Sequence, residues 1–96
     1  MYAVVRRYTG AALIFDELAQ RQEEVQELLR AVPGFVTYYA IRSGDGGGAT
    51  ITVCEDQTGT TESVRVAADW VQRRVPNAVG SPPQVTEGEV VFNFSH

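Results

Sequence analysis

Two runs of strand-forming residues, FVTYYAIR (Phe35–Arg42) and ATITVCE (Ala49–Glu55), flank the glycine-rich stretch SGDGGG (Ser43–Gly48). β-Branched and aromatic residues on both sides of such a turn predict a hairpin. The hairpin constrains the fold because a helical pattern lies on each side of it. Before it, Ile14, Leu18, Val25, Leu28, Leu29 and Val32 recur at helical spacing among Gln, Glu and Arg, and Val32-Pro33-Gly34 stops the run. After it, Val64, Ala67, Ala68, Val71 and Val75 form a second helical stripe, ended by Pro76 and NAVGSPP. Thr60 or Thr61 suits the N-cap of this second helix, with Glu62 in a first turn whose dipole favours a carboxylate. Outside both helices, YAVVRRY (Tyr2–Tyr8) reads as a first strand and QVTEGEVVFNFSH (Gln84–His96) as a last one, with a bulge expected at Gly88.

The order is βαββαβ, in which two split β-α-β units interleave. It predicts an α+β, ferredoxin-like fold with a four-stranded antiparallel sheet and two helices on one face. Ninety-six residues make a single domain, residues 1–96, with no room for a second core.

Strand alternation puts Phe35, Thr37, Tyr39 and Ile41 on one face and Val36, Tyr38, Ala40 and Arg42 on the other. In the last strand Val90, Phe92 and Phe94 share a face, opposite Val85 and Val91. Neither face is cleanly polar, whereas a half-exposed antiparallel sheet alternates apolar with polar. Two helices cover one face, so the other is expected to meet a second copy of the chain, giving a homodimer through sheet faces.

A net charge of −4 and a pI near 4.8 argue against nucleic acid as a partner. Four of the eight basic residues fall in two pairs, Arg6-Arg7 and Arg73-Arg74, too few to line a groove. A lone cysteine, Cys54, forms no internal disulfide and fits a reducing compartment. Met1 leads into YAVVRRY without a basic region followed by an apolar stretch, and no apolar run approaches the ~20 residues of a membrane helix. A cytoplasmic domain without a membrane partner is the expectation.

The stretches VPGFVTYYAIR, ITVCEDQTG after the glycine-rich turn, ESVRVAADWV and TEGEVV together resemble the dimeric α/β-barrel superfamily, and within it the antibiotic biosynthesis monooxygenase-like domains. The resemblance implies two ferredoxin-like protomers packed sheet to sheet. It also implies a cavity between sheet and helices that holds a small apolar or aromatic molecule. Activities in such a family range from cofactor-independent oxidation of aromatic polyketides to haem degradation, isomerisation and decarboxylation, and many members have no assigned reaction. Monooxygenase-like and haem-degrading members often carry a histidine in or near the second helix. This chain departs from that pattern, its one histidine being His96. The function expected is therefore an uncharacterised monooxygenase-like domain; the competing class is a non-catalytic dimerisation or ligand-sensing module.

Several side chains are candidates for chemistry. Trp70 borders the apolar stripe of the second helix, where the resemblance implies stacking on a planar ligand; the plainer role is a core aromatic whose indole N–H finds a partner. Tyr38 and Tyr39 must point to opposite faces, so at most one lines a helix-side cavity. Cofactor-free oxygenation needs a substrate that loses a proton, an acceptor for it and donors for the developing anion. A tyrosine with Arg6, Arg7 or Arg42 can supply those donors, as can Asn93 on the last strand; the alternatives are sheet tyrosines and solvated arginines. Cys54 has no cationic neighbour in sequence and reads as a small buried hydrophobe. SGDGGG joins two strands rather than opening onto a helix, which argues for a hairpin turn against a phosphate cradle. Asp16, Glu17, Glu23, Glu24 and Asp56 read as solvated charges. One histidine and one distant cysteine do not make a metal site, and neither metal nor cofactor is expected.

Overall fold

The structure, a computed structural model, describes residues 1–10, 12–76 and 82–96. In chain order its elements are β1 (Tyr2–Tyr8), α1 (Ala12–Gln20), α2 (Gln22–Arg30), β2 (Phe35–Arg42), β3 (Gly48–Cys54), α3 (Gln57–Arg74) and β4 (Gln84–Glu89). The strands form one antiparallel sheet in the order β2-β3-β1-β4. This is the ferredoxin-like arrangement that the element order predicts.

Three helices stand where two were expected. The first periodic segment breaks at Arg21, whose backbone (φ −116°, ψ 38°) leaves the helical region. Two hydrogen bonds hold the pieces in near register: Arg21 N–H donates to the Glu17 carbonyl at 2.9 Å and Val25 N–H to the Arg21 carbonyl at 3.1 Å. Leu18, Val25 and Leu28 therefore still pack on a common core of Tyr8, Ile14, Phe15, Trp70, Val71 and Val75.

The last strand is shorter than its sequence pattern. Glu89 pairs with Tyr2, the first residue of β1, and Val90 N–H makes one more bond, to the Met1 carbonyl at 2.8 Å. Val91, Phe92 and Phe94 lie more than four-fifths exposed in the segment that follows. The bulge expected at Gly88 is not there, since Gly88 pairs with Ala3 in unbroken register. The irregularity falls in β2, between Phe35 and Thr37, so Val36 is the extra residue. It sets Phe35 opposite the buried Cys54, on the helix side, and not on the face of Tyr39 as strict alternation has it.

α3 begins earlier than the expected Thr60 or Thr61 cap, at Gln57, with Asp56 in the cap position and no side-chain cap bond. Thr60 is instead fully buried in the first turn, its hydroxyl donating to Glu87 Oε2 on β4 at 2.6 Å. Gly59 lets this turn sit on the sheet: a Cβ there would lie 2.2 Å from the Pro33 carbonyl oxygen and 2.7 Å from Cys54 Cβ. The segment NAVGSPP, expected to end the helix, lies mostly outside the described residues. No described helix is long and apolar enough to cross a membrane.

Candidate functional site

The helix-side face of the sheet carries an unusual concentration of buried polar groups. Along β1, Val4, Arg6 and Tyr8 are buried; along β3, so are Thr50, Thr52 and Cys54. The register places Arg6 beside Thr50, Thr50 beside Ala40, and Tyr38 beside Thr52. Arg6 is only 5% exposed. Its Nε donates to the Tyr8 hydroxyl at 3.3 Å, while Nη1 is buried with no hydrogen-bond partner among the described residues; Thr50 Oγ1 is likewise buried without a partner within hydrogen-bond distance, although it lies close enough to the Tyr38 hydroxyl to act on it. Burying a charge is strongly unfavourable unless it is paired and hydrogen-bonded. Yet Arg6 takes part in none of the six ion pairs among the described residues. Glu87, which shares the helix-side face on β4, is bound instead by Thr60 and Thr61.

Arg6, Tyr8, Tyr38, Thr50 and Trp70 line a small inner chamber of about 30 Å³ under α3. Its other walls are apolar side chains from all three helices, together with Thr52 and Ser63. An outer cleft of about 560 Å³ opens between α1–α2 and β2, with Phe15, Phe35, Gln22, Gln26, Arg30 and Arg42 among its lining. Leu18, Val25, Leu29 and Tyr38 line both spaces, so these four side chains form the wall between them. Burial pushes the Tyr38 phenol up to about 12, against the opposing pull of the Arg6 charge. At neutral pH its hydroxyl is therefore a hydrogen-bond donor.

The two adjacent tyrosines separate as alternation requires. Tyr38 faces the helices, and Tyr39, 59% exposed, lies on the open face with Ile41. Trp70 is buried in the core at the edge of the chamber and donates its indole N–H to Glu24 Oε2 at 2.6 Å. Glu24 is thus not the solvated charge its sequence position indicates. Its carboxyl is held below the usual range, first by that indole bond and then by Arg74. Arg42 lines the outer cleft but is tied to Asp16 at 2.6 Å, away from the chamber. Asn93 is exposed in the segment after β4 and lines neither the cleft nor the chamber.

Tyr38 meets Trp70 at the chamber and Arg42 at the outer cleft; Tyr39 and Asn93 line neither space. Of the three arginines considered as donors, the buried one is Arg6, while Arg7 is exposed. Parity within YAVVRRY carried the signal, because Arg6 shares a face with Val4 and Tyr8. Thr50 and Tyr8 had no signal of their own. Cys54 is fully buried, and burial raises its thiol, which leaves it a packing group. In the turn, Asp45 Oδ1 accepts from the Ser43 hydroxyl and from Gly47 N–H at 3.1 Å, and Gly46 supplies a φ of +88°. The loop's own carboxylate thus takes up the Gly47 N–H.

No family model matches the chain, and no curated protein does. Solved structures match over nearly its whole length. MhuD, a haem degrader from Mycobacterium tuberculosis solved with two haems in its active site, is 18% identical with a TM-score of 0.68, the match covering 99% of this chain and 100% of that one. A monooxygenase from the gene ActVA-Orf6 of Streptomyces coelicolor, in complex with nanaomycin D, is 17% identical at a TM-score of 0.65, with 99% and 89% covered. A dimeric ferredoxin-like protein from an uncultured marine organism is 12% identical at 0.63, with 99% and 97% covered. A protein of unknown function is among the matches as well. The chain shares the ferredoxin-like fold of monooxygenase-like proteins; at these identities the likeness is one of fold.

Proposed function

We propose that this domain is a homodimeric, monooxygenase-like binder of a small, largely apolar and planar molecule, held between sheet and helices. One observation carries the reading. A cleft of ligand size, within the ~300–1,000 Å³ typical of small-molecule sites, abuts a chamber containing partnerless polar groups, with Tyr38 common to both. The apolar body of a ligand fits the cleft, and the chamber supplies donors. Solved relatives by fold hold ligands of this kind, one with nanaomycin D and one with haems. The homodimer is supported by the half-exposed apolar side chains of the open sheet face and by the dimeric relative.

Oxidation is the second reading, favoured by the monooxygenase of the same fold. It requires a proton acceptor, and the described lining of cleft and chamber holds no carboxylate and no histidine. A substrate acidic enough to lose its proton to water before it binds meets that requirement without a dedicated base, arriving as the anion that Arg6 pairs with and Tyr38 donates to. Haem does not fit the same lining. Among the described residues it contains no histidine, cysteine or methionine; of its two tyrosines, Tyr38 is held protonated by burial and the Tyr8 hydroxyl already accepts from Arg6.

Trp70, the sole tryptophan, reports on the chamber directly. Titration with 2-naphthamide, a neutral planar aromatic, is expected to quench its fluorescence saturably and to raise the melting temperature. No quenching by this or any other naphthalene-sized compound would overturn the binding reading.

A further inference from the structure

The inner chamber holds a buried cation, whereas Arg30 and Arg42 in the outer cleft are exposed and already paired with Glu27 and Asp16. Arg6 is nineteen-twentieths buried, its Nη1 has no partner, and no described carboxylate pairs with it. A guanidinium keeps its charge when buried, so the site retains a positive charge facing a space of about 30 Å³. That volume exceeds the ~10–15 Å³ needed by a water and admits a group of two or three heavy atoms. Thr50 Oγ1, also buried and without a partner, sits on the neighbouring strand beside Arg6. The Tyr38 hydroxyl adds a second neutral donor to the same chamber. One cation and several hydroxyls thus line one small volume that has no carboxylate among its described lining.

We propose that the molecule bound here carries an anionic oxygen group, a carboxylate in the form tested below, which enters the inner chamber and pairs with the Arg6 guanidinium while its apolar body lies in the outer cleft. The inference rests on the binding reading above and adds the charge of the ligand to it. Entry displaces part of the wall formed by Leu18, Val25, Leu29 and Tyr38, of which Tyr38 already lines both spaces. Charged hydrogen bonds in a desolvated site are the strong ones, and a guanidinium presents a fork that matches a carboxylate. An amide of the same shape forfeits the charge and leaves Arg6 unpaired.

The test compares 2-naphthoate with 2-naphthamide by Trp70 fluorescence and by thermal shift, in wild type, Arg6→Met and Arg6→Lys. Wild type is expected to bind the acid about tenfold or more tightly than the amide. Arg6→Met is expected to bring that ratio to about one, and Arg6→Lys to retain part of it. Without ligand, Arg6→Met is expected to melt no lower than wild type, because the substitution removes a buried charge that has no partner. Should it fail to fold, the wild-type ratio and the Arg6→Lys protein still decide the matter. Equal binding of acid and amide by wild type overturns the anion assignment and leaves the apolar-ligand reading standing. So does an acid preference that survives in Arg6→Met. If neither compound binds, the apolar-ligand reading itself falls.

Discussion

Trp70 Nε1 donates to Glu24 Oε2 at 2.6 Å, fastening the C-terminal part of α3 to α2. The same carboxylate accepts from Arg74 Nε at 3.1 Å and Nη2 at 2.5 Å, one helical turn further on. α2 and α3 otherwise touch through apolar side chains that carry no directional information. This bond therefore fixes the angle at which the indole meets the chamber.

Replacing the indole tests that fastening. Trp70→Phe keeps an aromatic ring in the core but removes the donor and leaves part of the indole volume empty. Urea unfolding is expected to show a loss of about 2 kcal/mol, with an unchanged slope. A loss near zero would mean that the indole bond to Glu24 contributes nothing in solution.

The carboxylate end of the bond predicts a pH dependence. Glu24 is held below its ordinary value of 4.5, by Trp70 first and by Arg74 second. A carboxyl lowered in the folded state adds stability above its unfolded pKa and loses it as pH falls through the lower folded value. Asp45 and Glu62 are shifted the same way, so wild type is expected to lose stability progressively below about pH 5. Glu24→Gln is expected to lose less over that range and to start lower at neutral pH. Parallel melting-temperature curves for the two proteins would show that the Glu24 bonds are not formed in solution.

The fold was largely legible in the sequence because period and turn chemistry are local. FVTYYAIR, SGDGGG and ATITVC occupy the hairpin they predict, and Tyr38 and Tyr39 part as alternation demands. What sequence could not supply was set by partners far along the chain. The break at Arg21 bears no glycine or proline. The extra residue at Val36 exists only relative to the β3 register, and the end of β4 only relative to its ladder with β1, whose last pair is Tyr2 with Glu89. The site followed the same division. Parity marks Arg6 as a neighbour of Val4 and Tyr8, but its lack of a counter-ion emerges only once β3, β4 and the helices surround it.

Gly59 carries the approach of α3 to the sheet. An alanine there would place its methyl 2.2 Å from the Pro33 carbonyl oxygen and 2.9 Å from Cys54 Sγ. Neither neighbour is the free end of a flexible side chain, so the helix start must lift. Gly59→Ala is expected to destabilise by about 1–3 kcal/mol in urea, although alanine is the better helix former. A stabilised Gly59→Ala would show that the helix start is not packed against Pro33 and Cys54.

Tyr38 sets a second pH limit, at the alkaline end. Its phenol is raised from 10.0 to about 12, chiefly by burial. A group raised in the folded state contributes stability that is complete below its unfolded pKa and disappears as pH rises through the folded one. Wild type is therefore expected to lose stability between about pH 10 and 12, and Tyr38→Phe to lose less over the same interval. Difference absorbance of tyrosinate should show one of the four tyrosines titrating late in wild type and not in the variant. An ordinary titration for all four would place Tyr38 in solvent and open the chamber wall.

The open face of the sheet gives the last prediction. Tyr39 and Ile41 stand 59% and 51% exposed on β2, beside the half-buried Ile51 and Ala49 of β3. A second copy laid on this face covers them, and two-fold symmetry counts each contact twice. Light scattering after size exclusion is expected to give about 21 kDa, twice the 10.5 kDa of the chain. Ile41→Glu introduces a carboxylate twice into the apolar contact and is expected to weaken association by about 100-fold or more, yielding a monomer at micromolar concentration. Helix-side chemistry lies on the opposite face, so the monomer should keep the Trp70 response to naphthalene-sized compounds if each chamber is complete within one chain. A wild-type mass near 10.5 kDa at all concentrations would refute the pairing of sheet faces.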